Sequence, residues 1–232
     1  MIFLLLACSA QPNRLTVLAA SSLTEGFSEL EQQFEEAHRG VDVQLSFAGS
    51  QTLATQVLHG IDADVFASAD PVQVQRLAGS GLGGPAREFL WNELVLVGPD
   101  VVSVPQLAGV GSLVVGSPQS PVGRYTDAFL VAAERELGPR WRASVDRHIV
   151  SREPNVRAVI TKVVLGEADA ALVYRTDARS GALRVVGLGD LAPIPSYVQV
   201  RLGDSPLAGE WMELVESSPA VFERYGFRVV QP

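Results

Sequence analysis

Leu15-Thr16-Val17-Leu18-Ala19-Ala20-Ser21-Ser22-Leu23-Thr24-Glu25-Gly26-Phe27 joins two different hydrophobic periods. The run Leu15–Ala20 is apolar at nearly every position, as in a strand covered on both faces. From Leu23 the period changes. Leu23, Phe27, Leu30 and Phe34 recur at steps of four, three and four, which is one face of a helix. Between the two lies Ser21-Ser22. Ser22-Leu23-Thr24-Glu25 has the spacing of a capping box, with Ser22 as N-cap and Glu25 at the third helical position. On that reading Ser21 keeps its hydroxyl and backbone N–H free at the positive end of a helix. The competing reading is two serines that only cap.

The same unit repeats downstream. Val41, Val43, Leu45 and Phe47 alternate with period two, and Thr52–Leu58 reads as a short helix. Val65-Phe66-Ala67 is a strand, and Pro71 suits the first turn of a helix running to about Ala78. This β-α-β-α-β-α order implies a parallel sheet with helices on its faces. After the glycine-rich break 79–85, a second series begins. Strands are expected at Leu94–Val97, Leu113–Val115, Ala170–Tyr174, Leu183–Val186 and Tyr197–Arg201. Helices are expected at about Gly123–Leu137 and Val156–Leu165, and two short ones in the tail near Ala208–Glu216 and Pro219–Arg224. Nothing between the two series looks like a free linker. They therefore read as two lobes joined by extended segments, with 14–90 plus 198–232 as lobe 1, 91–197 as lobe 2 and 1–13 as leader and tether.

Composition narrows the function. The 232 residues carry 18 Lys+Arg against 26 Asp+Glu, a formal net charge of −8, and Lys162 is the sole lysine. An acidic chain lacks the electrostatic footprint of a nucleic-acid binder. One Cys cannot close an intrachain disulfide, and the three His have no metal-ligand spacing. Gly79, Gly81 and Gly84 match G-x-G-x-x-G, but they follow a helical pattern and run into Pro85, the wrong context for a dinucleotide fingerprint. His38 and His59 fall near helix ends, where solvated or capping roles are expected. Trp211, Phe222 and Phe227 are expected to dock the tail helices.

Ligands of open α/β sheets sit at strand carboxyl ends, by the loops that open helices. Four such loops share one chemistry. The first is Ala19–Ser22. In the second, Phe47-Ala48-Gly49-Ser50-Gln51, Gly49 admits close approach to the backbone and Ser50 brings a hydroxyl. The third, Pro118–Gly123, is stiffened by two prolines and offers the N–H groups of Val122 and Gly123. In the fourth, Asn155 suits an N-cap and leaves the Val156 N–H in the unsatisfied first turn. Tyr174 ends a strand at the same rim. Each loop alone reads equally as a simple cap. Together they offer four helix N-termini rich in neutral donors, which suits a small oxyanion. Arg124 and Arg157 flank two of the loops and are expected to face solvent.

At these residues the chain resembles the periplasmic molybdate-binding proteins of ABC transporters. The matching stretches are Leu18–Thr24, Phe47–Ser50, Ala63–Asp70, Pro121–Tyr125, Asn155–Arg157, Ala171–Tyr174 and Arg224–Phe227, in family order from about residue 15 to 228. The resemblance implies an α/β, two-lobed type II periplasmic-binding-protein fold, each lobe a mainly parallel sheet flanked by helices, with the ligand cleft between the lobes. It implies molybdate or tungstate as ligand, no cofactor, no metal cation, no catalysis and an ABC permease as partner of a monomer. By position, Ser21 donates through hydroxyl and amide, Gly49-Ser50 from the same lobe, Val122 and Val156 through backbone N–H from the other, and Tyr174 through its phenol. Some family members carry serine where Gly49 stands, so the second-loop donor is Gly49 or Ser50.

Leu5-Leu6-Ala7-Cys8 resembles a bacterial lipobox, which makes Cys8 a lipidation candidate and places the protein in the periplasm or otherwise outside the cytoplasm. The apolar run before it is short for a secretory leader and lacks a basic start. Three other functions are weighed. Another tetrahedral anion, such as sulfate, differs only in size and donor spacing. An enzyme on the same fold, using Ser21 or Tyr174, lacks a plausible general base near the site. A regulator's sensing domain needs a helix-turn-helix, for which residues 1–14 leave no room, so that function is not expected.

Overall fold

The computed structural model describes residues 13–101, 103–179 and 183–230. Cys8 and the lipobox-like stretch lie outside them. The first series runs β1 (Asn13–Ala20), a 3-10 turn (Ser21–Leu23), α1 (Thr24–Ala37), β2 (Val41–Ala48), α2 (Ser50–Leu58), β3 (Val65–Ser68), α3 (Pro71–Ala78) and β4 (Arg87–Trp91). The second runs β5 (Leu94–Gly98), β6 (Leu113–Gly116), α4 (Pro121–Leu137), α5 (Pro139–His148), β7 (Ile149–Glu153), α6 (Val156–Val164), β8 (Ala170–Tyr174) and β9 (Arg184–Gly187). The chain then returns through β10 (Ser196–Arg201), α7 (Pro206–Ser217), α8 (Pro219–Arg224) and β11 (Arg228–Val229).

Two sheets result, with strand orders β11-β4-β10-β3-β1-β2 and β7-β6-β8-β5-β9. Each forms the core of one lobe. The chain crosses between them twice, at 92–93 and at 188–195. The fold is α/β and two-lobed, as expected, but the sheets are mixed rather than mainly parallel. β1 pairs in parallel with β2 and β3, whereas β10 runs antiparallel to β3 and β4, and β11 antiparallel to β4. In the second sheet β6 is parallel to β7 and β8, and β5 is antiparallel to β8 and β9. The cause is connectivity. Strands joined through a helix must be parallel, while strands reached by a crossing between lobes enter from the opposite end.

Every residue of β3 and β8 is buried, and β1 is buried over its last four positions. Both faces of these central strands carry helices, which explains their unbroken apolar runs. The helical face read from the sequence points inward: Leu23, Phe27 and Leu30 are fully buried and Phe34 nearly so. The tail completes this lobe. Trp211 packs edge-on against Phe27 and Phe34, with ring centroids 5.5 and 5.6 Å apart, and Phe222 packs on Phe27 at 6.1 Å.

Charge divides unevenly along this architecture. Residues 13–91 and 196–230 carry 7 basic and 15 acidic side chains, whereas 92–195 carry 11 of each. The whole net charge therefore belongs to the first lobe.

Candidate oxyanion site

The four loops converge on one cavity between the sheets. It is lined by Ala20, Ser21, Ser22, Ala48, Gly49, Ser50, Ala69, Pro121, Val122, Asn155, Val156 and Tyr174. All six residues singled out from the sequence, Ser21, Gly49, Ser50, Val122, Val156 and Tyr174, are among them. No lining residue carries a charge, so a charged guest meets dipoles rather than ions. The cavity volume is about 10 Å³, on the scale of one small polar guest.

The first loop differs from the capping-box reading. Ser21–Leu23 forms a 3-10 turn that leads into α1, and α1 has no side-chain cap. Thr24 Oγ1 donates to the Ser21 carbonyl at 2.7 Å. Ser22 Oγ lies 2.8 Å from the Tyr197 hydroxyl of β10, and Glu25 pairs with Arg157. Ser22 is thus a buried cavity residue that sequence reasoning had spent on a cap.

In the second loop Gly49 is the extended N-cap of α2 and contributes no side chain. A Cβ there would overlap the Pro154 carbonyl of the opposite lobe, so the glycine marks where the lobes touch. Gln51 Nε2 donates to that same carbonyl at 2.6 Å. The Ala69 N–H donates to Ser50 Oγ at 3.1 Å. That bond uses an oxygen lone pair, so the Ser50 proton is still available to a guest.

In the third loop Ser120 caps α4 by accepting the Gly123 N–H at 3.1 Å. Gly123 is therefore unavailable to a ligand, contrary to expectation, and only the Val122 N–H remains in the open first turn. A Cβ on Gly123 would overlap the Ser117 carbonyl, which explains the glycine. In the fourth loop Asn155 Oδ1 accepts the Ala158 N–H at 3.0 Å. Capping there orients the turn and leaves the Val156 N–H free.

Tyr174 completes the ring. It is 1% exposed, and its hydroxyl has no hydrogen-bond partner among the described residues. Leaving such a group unpaired costs about 1–3 kcal/mol. Burial, reinforced by Tyr197 and Tyr125, raises its pKa well above the ordinary phenol value, so it holds its proton and acts as a donor.

Arg124 and Arg157 do not simply face solvent. Arg124, from α4, pairs with Asp70 at the N-cap of α3, its Nε 2.9 Å from Oδ2. Arg157, from α6, pairs with Glu25 of α1, and its Nε lies 2.7 Å from Asp177 Oδ1. Both arginines tie one lobe to the other beside the cavity, and their charges are met by carboxylates. Asp177 has a fully buried side chain, and that burial raises its pKa to about 7 against the opposing pull of Arg157.

A buried polar chain runs from the site to the crossing at 92–93. The Tyr197 hydroxyl, bonded to Ser22, lies 3.2 Å from Asn92 Nδ2. Asn92 Nδ2 also donates to Thr176 Oγ1 at 2.9 Å, and Thr176 Oγ1 donates to Asp177 Oδ2 at 3.2 Å.

Outside the site, His38 and His59 are the C-caps of α1 and α2. Among the described residues no cluster of three or more His, Cys, Asp or Glu is placed to hold a metal ion. No helix among them is long and apolar enough to cross a membrane.

Comparison with known proteins gives the same direction. The model of the bacterial extracellular solute-binding proteins matches residues 15–228. The molybdate-binding protein ModA of Mycobacterium tuberculosis is 38% identical over 178 residues, covering 74% of this chain and 64% of that protein. The alignment thus spans just under two thirds of that relative's length. A putative ABC transporter substrate-binding lipoprotein of Bacillus subtilis, YvgL, is 29% identical over 92% of this chain and 85% of its own. Among solved structures, the periplasmic molybdate-binding protein of Azotobacter vinelandii superposes with a TM-score of 0.78 at 21% identity, covering 94% of this chain and all of that one.

Proposed function

This chain belongs to the bacterial extracellular solute-binding proteins, and from that premise we propose that it captures molybdate or tungstate outside the cytoplasm and delivers it to an ABC permease. One observation carries the ligand class, a tetrahedral oxyanion. A cavity without charged side chains gathers donors from four helix N-termini around the buried, unpartnered phenol of Tyr174. Ser21, Ser22 and Ser50 offer hydroxyls, Gly49, Val122 and Val156 offer backbone N–H groups, and Tyr174 offers its O–H. A fully deprotonated tetrahedral anion accepts from all of them and needs no acceptor in return. Molybdenum or tungsten enters only as the oxyanion, and the protein needs neither a cofactor nor a metal cation.

The mechanism is a population shift. Lobe 1 brings the first two loops and lobe 2 brings the other two with Tyr174. An ion that bonds to both is bound best when they are together. Domains of 14–90 plus 198–232 and of 91–197, hinged at the two crossings, fit this mechanism. The protein acts as a binding protein rather than an enzyme, and as a monomer. Cys8 would hold it to the membrane by a lipid; the name of the Bacillus subtilis relative supports that reading.

Calorimetry against molybdate, tungstate, sulfate and phosphate tests the proposal. Tight binding of the first two with little heat from sulfate is expected. Preferential binding of sulfate would reassign the ligand, and no heat with any of the four would refute the function.

A further inference from the structure

The buried chain Ser22–Tyr197–Asn92–Thr176 determines more than the packing of the crossing. Hydrogen-bond direction is fixed at Asn92. Its Oδ1 accepts the Glu93 N–H at 2.8 Å, so the amide cannot be reversed without setting donor against donor. Its two Nδ2 hydrogens then point at the Tyr197 hydroxyl (3.2 Å) and at Thr176 Oγ1 (2.9 Å). A phenol has one proton to donate. Tyr197 is fully buried, and burial raises its pKa, so it keeps that proton. Its oxygen already accepts from Asn92, and the one other polar atom within bonding distance among the described residues is Ser22 Oγ, at 2.8 Å. The phenol therefore donates to Ser22. Ser22 must then send its own proton elsewhere, and the cavity it lines is the space beside it.

We infer that Asn92 and Tyr197 are positioning residues that set the polarity of Ser22, turning its hydroxyl into an obligate donor toward the oxyanion. The inference rests on the proposed ligand class. Neither residue lines the cavity, so each acts through Ser22. Reversing the relay would present a lone pair of Ser22 to the anion instead of a proton.

The test uses two near-isosteric variants and their combination, titrated with molybdate, tungstate and sulfate by calorimetry. Asn92→Asp replaces the donor by an acceptor. Tyr197 then donates to residue 92, and Ser22 donates to Tyr197. Affinity should fall by roughly ten- to a hundredfold, the scale of one hydrogen bond to a charged group turned unfavourable. Tyr197→Phe removes two buried hydrogen bonds but frees the Ser22 proton, so affinity should stay within about threefold of the parent even as the urea midpoint falls. The double variant should recover affinity, because the reversed relay is cut before Ser22. A residue needed only for structure predicts the opposite order, with the double variant worst. Tyr197→Phe losing as much affinity as Asn92→Asp, or a double variant no better than Asn92→Asp, overturns the relay. Should Asn92→Asp fail to fold, by circular dichroism, Ser22→Ala is read beside Tyr197→Phe: a roughly ten- to a hundredfold loss in Ser22→Ala with affinity retained in Tyr197→Phe supports the relay, and loss in Tyr197→Phe or parent-like binding by Ser22→Ala overturns it. If the parent itself gives no heat with any of the three anions, the function reading falls and the relay with it.

Discussion

Replacing Tyr174 by Phe should move stability and affinity in opposite directions. The side chain is fully enclosed at the end of β8, packed edge-on against Tyr125 and Tyr197 at 6.3 and 6.1 Å. Phenylalanine keeps those ring contacts and removes one oxygen. Among the described residues that oxygen has no partner, so its removal relieves about 1–3 kcal/mol of desolvation. For a chain of this size each kcal/mol shifts the melting temperature by about 2–4 °C. The unliganded variant should therefore melt higher than the parent by roughly 2–12 °C. The same oxygen, placed against a dianion, makes a charge-assisted bond of about 1.5–3 kcal/mol, which is about ten- to a hundred-and-fiftyfold in Kd. Thermal melts without ligand and calorimetry with molybdate read the two halves separately. A variant that melts lower without ligand, or binds molybdate like the parent, would refute the view that this phenol is held unsatisfied for an anion.

Three further outcomes follow from the geometry. Glu25→Gln breaks the ion pair to Arg157 across the lobes; both side chains are partly exposed, at 44% and 36%. Such pairs contribute about 0.2–1 kcal/mol, so affinity should drop less than about fivefold by calorimetry, and the difference should vanish in high salt. Asp177 has a folded-state pKa raised from 3.8 to about 7. Between those values the unfolded chain has lost the proton that the folded chain still holds, so stability falls as pH rises, by up to about 1.4 kcal/mol per pH unit. Urea midpoints from pH 4 to 7 should show that slope in the parent and lose it in Asp177→Asn. If Cys8 carries a lipid, Cys8→Ser should move the protein from the membrane to the soluble fraction, as read by fractionation.

What the sequence conveyed well is local. The inward face of α1 was legible because Leu23, Phe27, Leu30 and Phe34 obey a helical period. The site loops were legible because each strand-to-helix turn concentrates small donors. Ser22 was misread for the same reason: Ser-x-x-Glu satisfies a capping rule locally, whereas its actual partner, Tyr197, lies 175 residues away. Arg157 was read as solvent-facing because its carboxylates, Glu25 and Asp177, belong to other elements. β4 and β7 escaped notice. Arg87 and Glu88 open one of them, and Ser151-Arg152-Glu153 close the other, which masks their apolar members. Strand direction at β10 and β5 followed from the crossings between lobes, which leave no mark on hydrophobic period.

The uneven division of charge along the fold makes the molecule an electric dipole. With a surplus of eight negative charges on one lobe and none on the other, a uniform field exerts a torque on it as well as a pull. Near any anionic surface the balanced lobe turns inward and the acidic lobe outward before contact, within about a Debye length of 10 Å at 0.1 M salt. The two crossings between lobes lie where that charge changes, so molecules arriving at such a surface share one heading, and the rim of the cavity arrives with a fixed aspect. Raising the salt would scramble that heading and, on the proposed mode of binding by short-range dipoles, leave the cavity's hold on an oxyanion almost untouched.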